Sequence, residues 1–212
     1  MGKEFSVAID PGHPSLFKDG RINFGAVSKD GVKEVEVNLE VAEILKEKLE
    51  SAGFQVVLTR SDNQKVIGNE KRVKIAADFG ANFILRLHCD YDRNNDSSKK
   101  GVRTFYPPRQ AEKISQKSKN AAKIIQEEVA GLTGLFDGGI HDDKVGDIDL
   151  AVGMFVGSKE ANKFGILTVL VEMVYLSNHD NAKWIAAREN KELLAEALAS
   201  GVIKVFEEIK FL

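Results

Sequence analysis

The chain is poor in the features that mark several classes of protein. It contains a single cysteine, Cys89, among 212 residues, which excludes both an internal disulfide framework and a cysteine-rich structural zinc site. No apolar run approaches the ~20 residues that a membrane span needs. The formal net charge is only −2, so we expect no nucleic-acid partner. Met1 to Glu4 lead almost directly into a predicted strand without a visible signal peptide, so we expect either a cytoplasmic protein or a removed leader.

What the sequence does contain is an alternation of short apolar runs and amphipathic stretches. The apolar runs predict strands at residues 5–9, 55–58, 83–87, 102–106 and 166–174. Helical spacing predicts helices at residues 38–51, 70–79, 111–132 and 189–210. Residues 11–33, 90–101 and 131–141 are predicted as loops and 178–181 as a turn. This order predicts an α/β fold, a three-layer αβα sandwich with a mostly parallel sheet, in one domain over residues 1–212.

Residues that bind metals or move protons follow several of the predicted strands. His13 comes after the first strand, His88 closes the third, and Glu172 interrupts the last. Ligands of open α/β sheets bind beyond the carboxyl ends of the strands, so we expect these side chains to converge. With one further glutamate they form the ligand set and the base of a hydrolytic zinc site.

Each of these residues also has a plainer interpretation. His13 alone would be a hydrogen-bonded loop histidine. Glu34 and Glu36 precede a helix, where acids are favoured by the helix dipole, and on an extended stretch both would share a face, so spacing does not choose between them. Glu172 in so apolar a strand must be paired, metal-bound or functional, and an ion pair with Arg86 is the structural alternative.

Two further residues are candidates for contact with a substrate. Arg86 shares a strand face with His88, so it either meets a substrate or pairs with a buried acid, Glu172 or Asp90. His141 lies in a glycine-rich acidic loop and is either a substrate contact or proton donor, or a solvated loop residue.

Two other side chains are predicted to stand apart from the chemistry. His179, in the predicted turn, is expected to be solvated. Cys89 is expected to point away from His88 into packing, because neighbouring residues of a strand face opposite sides of the sheet.

Four blocks of the sequence, taken in order, resemble the zinc-dependent N-acetylmuramoyl-L-alanine amidases of the amidase-3 family. They are VAIDPGHPS, EVEVNLEVAEILKEKLESAGFQVVLTR, KRVKIAADFGANFILRLHCD and TVLVEMVYLSNHDN. The resemblance runs from about Val7 to the last helix, and the order and spacing of the blocks make it specific. It implies a mixed six-stranded sheet with helices on both faces.

The resemblance also implies a zinc ion (Zn2+) and assigns the residues around it. The two family histidines match His13 and His88, and the ligand glutamate matches Glu34, four residues before the Asn38-Leu39 pair. The catalytic glutamate matches Glu172.

Two positions beside the implied metal depart from the family pattern. Arg86 and Asp90 stand where many members have serine and asparagine. As an added charge pair beside the metal, they are expected to affect the substrate range more than the reaction.

The implied activity is hydrolysis of the amide between N-acetylmuramic acid and L-alanine in peptidoglycan, by a monomer outside the cytoplasm. The alternatives are a zinc peptidase or deacetylase acting on another amide, a non-catalytic wall-binding module that keeps the fold, and a structural α/β domain with incidental histidines. The wall-binding repeats often attached to such amidases are not seen in the sequence.

Overall fold

The computed structural model describes residues 5–17, 19–94, 96, 98–107, 112–142 and 163–209. The strands are β1 (Ser6–Pro11), β2 (Ser15–Leu16), β3 (Ile22–Asn23), β4 (Gln55–Leu58), β5 (Phe83–Asp90), β6 (Val102–Tyr106), β7 (Asp137–Asp142) and β8 (Leu167–Tyr175). The helices are α1 (Glu34–Ser51), α2 (Asn69–Phe79), α3 (Glu112–Thr133), α4 (His179–Ala186) and α5 (Arg188–Glu208). Across these residues no helix has the length and apolar character needed to cross a bilayer.

Six strands form one mixed sheet in the order β4-β1-β5-β8-β6-β7. β4, β1, β5 and β8 run parallel, whereas β6 is antiparallel to β8 and parallel to β7. β2 and β3 form a separate antiparallel hairpin. The predicted α/β sandwich with a mostly parallel mixed sheet is confirmed.

The two faces of the sheet are covered unequally. Alternate residues of β1 and β5 enter a large apolar core that also contains residues of α1, α3, α4 and α5. The other face carries a smaller cluster, in which Ala8 and Ile84 pack with Val73 and Ala76 of α2. Because side chains alternate along a strand, Arg86 and His88 share the face of Ile84.

Besides the β2–β3 hairpin, which lies within a predicted loop, three stretches differ from the sequence-based expectation. Val35 and Val37 are β-branched and alternate with glutamates, which favoured an extended stretch, but both are buried in the first turn of α1. Residues 137–142 form β7 instead of a loop, although the stretch contains two glycines. The predicted turn at 178–181 begins α4, where the Asn178 side chain caps the helix by accepting a hydrogen bond from Asn181 N.

A buried carboxylate lies under the turn that follows β1. Asp10 is 1% exposed; its Oδ1 accepts a hydrogen bond from Arg72 Nη1 (2.7 Å) and its Oδ2 from Arg86 Nε (2.7 Å). The Thr59 hydroxyl donates a further bond. Burial alone would raise the pKa of this carboxyl, but the charges of Arg72 and Arg86 outweigh burial and hold the pKa well below its usual range.

Guanidinium groups also hold the main chain of the turn itself. Arg72 donates from Nη1 to Pro11 O (2.7 Å) and from Nη2 to His13 O (3.0 Å). Arg60 donates from Nε to Pro11 O (2.9 Å) and from Nη2 to Gly12 O (2.9 Å). These hydrogen bonds satisfy the carbonyl groups that the sharp turn directs inward, and they hold the main chain at His13 in place.

We expect Asp10→Asn to lower the free energy of unfolding by about 3–5 kcal/mol, because the substitution removes the buried carboxylate charge to which Arg72 and Arg86 both donate. Urea denaturation near neutral pH measures this change. Asp19→Asn is the matched control, since Asp19 makes an exposed ion pair with Arg21, and it should leave stability nearly unchanged.

The same pair of proteins gives a pH test. The pKa of Asp10 is depressed on folding, so its charge stabilises the fold above the ordinary value of 3.8 and this stabilisation is lost as the pH falls below that value. The difference between wild type and Asp10→Asn should therefore shrink below about pH 4. A difference that stays constant down to about pH 3 would contradict the assignment.

Candidate metal centre

Three side chains from separate elements meet at the carboxyl end of the sheet. One ligand atom from each of His13, Glu34 and His88 lies within 4.8 Å of the others. His13 Nε2 is 3.3 Å and His88 Nδ1 is 2.9 Å from the same oxygen, Glu34 Oε1. All three side chains are largely buried, so they form a compact set of two imidazoles and one carboxylate. This is a donor set that zinc uses in catalytic sites.

The turn after β1 orients His13 toward this cluster. His13 has a φ of 59°, in the left-handed region that few residues other than glycine adopt. Its Nδ1 lies 3.2 Å from Asn23 O of β3, which turns Nε2 toward Glu34. The hairpin of β2 and β3, absent from the predicted elements, thus orients a predicted site residue.

The helical start of α1 selects Glu34 over Glu36. Residues two apart on a helix point to nearly opposite sides, so Glu34 faces the cluster and is buried, whereas Glu36 faces outward to Lys33 (2.8 Å). Glu34 Oε1 accepts from Cys89 N (3.2 Å) and Oε2 from Ala26 N (2.8 Å). The expectation that both acids share a face is therefore wrong, because the segment is helical.

Two glycines let the backbone approach the cluster closely. A Cβ atom at Gly12 would lie 2.2 Å from the ring of His88, and one at Gly25 would lie 2.4 Å from Glu34 Oε2. Gly25 also has a φ of 82°, which side-chain-bearing residues rarely adopt. Larger residues at either position would displace a member of the cluster.

The ionisation states of Glu34 and His88 suit a metal site. Burial opposes a charge on Glu34, but the interactions with His13 and His88 outweigh burial and hold the pKa of the carboxyl well below its usual range. For His88, burial is the largest effect and lowers the pKa below its ordinary value, despite the opposing pull of Glu34. A charged carboxylate and a neutral imidazole are the forms that bind metals.

Glu172 lies next to the cluster in the sheet. It is the β8 partner of His88 and is buried. Burial, followed by repulsion from Asp90 and from Glu34, raises the pKa of Glu172 well above its ordinary value, while Arg103 pulls it in the opposite direction. A raised pKa makes a carboxylate more basic and so better able to accept a proton and return it.

The cation that acts on Glu172 is Arg103, and not Arg86, which we considered as one alternative. Arg86 is buried, and its guanidinium contacts Asp10 and donates from Nη2 to Asn69 Oδ1 (2.8 Å) instead of pairing with Glu172 or Asp90. Its side chain lies beside Asp10, which is its register partner on β1. Arg86 thus has a structural contact with Asp10, and its predicted contact with a substrate stays a prediction.

Arg103 is the charged residue that sequence reasoning missed. It is the register partner of Glu172 on β8, and its guanidinium forms an ion pair with Asp90. The sequence contained one indication of its role. An arginine inside the short predicted strand 102–106 is costly unless it faces a polar site, which is the argument that identified Arg86 in β5.

The remaining candidates lie outside the three-residue cluster. His141 is on β7, with its ring 5.3 Å from that of Phe105 and its Nε2 2.8 Å from Gly138 O, so its substrate role stays a prediction. His179 is exposed and contacts Asp30, as expected for a solvated residue. Cys89 packs in the large core, as predicted.

Known proteins resemble this chain along nearly its whole length. A family model described as N-acetylmuramoyl-L-alanine amidase matches residues 7–204. N-acetylmuramoyl-L-alanine amidase LytC of Bacillus subtilis is 28% identical over 95% of this chain, which spans only 35% of LytC. A putative N-acetylmuramoyl-L-alanine amidase of Buchnera aphidicola is 24% identical, over 94% of this chain and 95% of that protein.

Solved structures agree with the fold. The N-acetylmuramoyl-L-alanine amidase of Clostridium difficile 630 has a TM-score of 0.79 at 22% identity, over 99% of this chain and 100% of that one. The catalytic domain of CwlV, an N-acetylmuramoyl-L-alanine amidase from Bacillus polymyxa var. colistinus, has a TM-score of 0.74 at 25% identity, over 96% and 98%. With the family model matching from residue 7 to residue 204, the chain belongs to the amidase-3 family of N-acetylmuramoyl-L-alanine amidases.

Proposed function

We propose that this protein hydrolyses the amide bond between N-acetylmuramic acid and L-alanine in peptidoglycan, with zinc bound by His13, Glu34 and His88. The observation that carries the proposal is the convergence of these three ligand atoms within 4.8 Å, beside a buried glutamate on the neighbouring strand. Membership of the family supports the choice of substrate. Peptidoglycan lies outside the cytoplasmic membrane, so we propose that the enzyme acts there.

The proposed reaction assigns separate roles to the zinc ion and to the residues around it. When bound, zinc supplies a Lewis acid that polarises an amide carbonyl and makes water nucleophilic near neutral pH. Glu172 accepts the proton of the attacking water and returns it to the leaving amine of L-alanine. Glu34 and the two histidines hold the metal, and the network around Asp10 keeps His13 in place.

Digestion of purified peptidoglycan tests the reaction. Mass spectrometry of the products should show free stem peptides with L-alanine at the amino terminus and glycan strands without peptides. Cuts inside the stem peptide would indicate a peptidase, and release of acetate would indicate a deacetylase. A zinc-loaded protein that binds peptidoglycan without cutting it would be a wall-binding module. Each of these three results would contradict the proposal.

The ligand assignment predicts that Glu34→Gln loses zinc, since the substitution removes the single anionic ligand of the cluster. Metal content is measured by mass spectrometry after dialysis against metal-free buffer, with about one zinc per chain expected for the wild type. Glu36→Gln is the matched control, two residues away and exposed, and should keep its zinc. Loss of zinc from Glu36→Gln but not from Glu34→Gln would reverse the assignment.

Glu172→Gln should keep zinc and fold while the rate of hydrolysis falls by about 10²–10⁴-fold, because the neutral amide does not accept a proton. Turnover of a muropeptide is compared at equal zinc content. Burial and repulsion from Asp90 and Glu34 already disfavour a charge on Glu172, so we expect an uncharged amide of the same shape to cause no loss of thermal stability. Near-normal turnover by the zinc-loaded variant would remove Glu172 from the mechanism.

A further inference from the structure

Arg103 belongs to a row of side chains that crosses the site. Glu172 on β8 has His88 as its register partner on one side and Arg103 on the other. Residues directly opposite each other on neighbouring strands present their side chains on the same face. His88, Glu172 and Arg103 therefore stand side by side on β5, β8 and β6, with the glutamate in the middle.

The arginine in this row is held from several directions. Its Nη2 donates a hydrogen bond to the Asp90 carboxylate. Its guanidinium carbon lies 4.9 Å from the ring centroid of Tyr175 and 5.3 Å from that of Phe105. Gly138 on β7 makes room for its stem, since a Cβ atom there would come 2.4 Å from Arg103 Cγ. The surroundings thus fix the guanidinium in one place.

Two complementary atoms within this row are buried and lack partners. Arg103 Nε is a donor and Glu172 Oε2 an acceptor, and neither has a hydrogen bond among the described residues. Buried polar groups without partners are costly, so such a pair needs a reason to persist. The charge on Arg103 attracts Glu172, whereas Asp90 and Glu34 repel it.

We propose that Arg103, anchored by Asp90, is a positioning residue that directs one oxygen of Glu172 toward its own Nε. The other carboxylate oxygen is then presented toward His88 and the metal cluster. The proposal rests on the proposed function, in which Glu172 moves a proton, and it requires no contact between Arg103 and the substrate. Asp90, a departure from the family pattern, acts as the anchor of the arginine.

Arg103→Lys tests the proposal because it keeps the charge but removes the planar Nε donor. We expect kcat for a muropeptide to fall by about 10–10²-fold, since misplacement of a catalytic group has effects of this size. KM and zinc content should be unchanged. Arg188→Lys is the matched control, an exposed arginine paired with Glu192, and should leave kcat unchanged.

A double-mutant cycle separates positioning from general damage to the fold. If Arg103 acts through Glu172, Arg103→Lys should not lower the residual rate of Glu172→Gln any further. An equal loss in both backgrounds would overturn the proposal. A raised KM with unchanged kcat would also overturn it, since Arg103 would then bind substrate.

Crystal structures of zinc-loaded wild type and Arg103→Lys give a readout that does not depend on activity. We expect Glu172 Oε2 at Arg103 Nε in the wild type and a rotated or split carboxylate in the variant. The same Glu172 conformer in both would overturn the proposal. If the zinc-loaded wild type cuts no muropeptide, the proposed function fails, while this comparison still decides the role of Arg103.

Discussion

The buried charge of Asp10 is the constraint on which the site depends. A turn sharp enough to lift His13 out of the sheet points carbonyl groups inward, where they need donors. Arg72 supplies donors both to those carbonyls and to Asp10, and Asp10 in return compensates the buried charge on Arg72. Burying ions is favourable only when the network is complete, so the turn has little freedom to shift. The placement of His13, a proposed metal ligand, thus depends on the folding of β1 and α2.

The pKa values of two carboxyl groups, Glu34 in the cluster and Glu172 beside it, are shifted in opposite directions by their surroundings. Burial opposes a charge on Glu34, but its interactions with His13 and His88 outweigh burial and lower its pKa, so the carboxyl stays charged, as its proposed role as a metal ligand requires. Glu172 projects from a central strand and is repelled by two acids, which together with burial raise its pKa. A pair of acids separated in this way is a recurring arrangement for dividing ligand and proton-transfer roles within one site.

The sequence predicted the fold class and the strand ends that carry the site, because long-range order in an α/β sheet follows from local patterns. It did not predict that Glu34 begins a helix, since Val35 and Val37 favour an extended chain locally, and their burial in the folded protein, Val37 in the large core, overrides that preference. It also did not predict β7, whose Gly138 is explained by the side chain of Arg103 on the next strand. Which residues lie next to each other on neighbouring strands depends on the register of strands that are distant along the chain. Local patterns in a single sequence do not show that register.

The same limitation explains why Arg86 and Asp90 looked like one charge pair beside the metal. They are four apart on β5, each two residues from His88, yet the register with β1 brings Arg86 to Asp10, and β6 brings Arg103 to Asp90. Each departure from the family pattern therefore has its own oppositely charged partner. Arg86 pairs with Asp10 under the turn of His13, and Asp90 pairs with Arg103 beside Glu172. The two ion pairs therefore support two different site residues. A change at Arg86 should affect the stability of the turn that carries His13, whereas a change at Asp90 should affect the placement of Glu172.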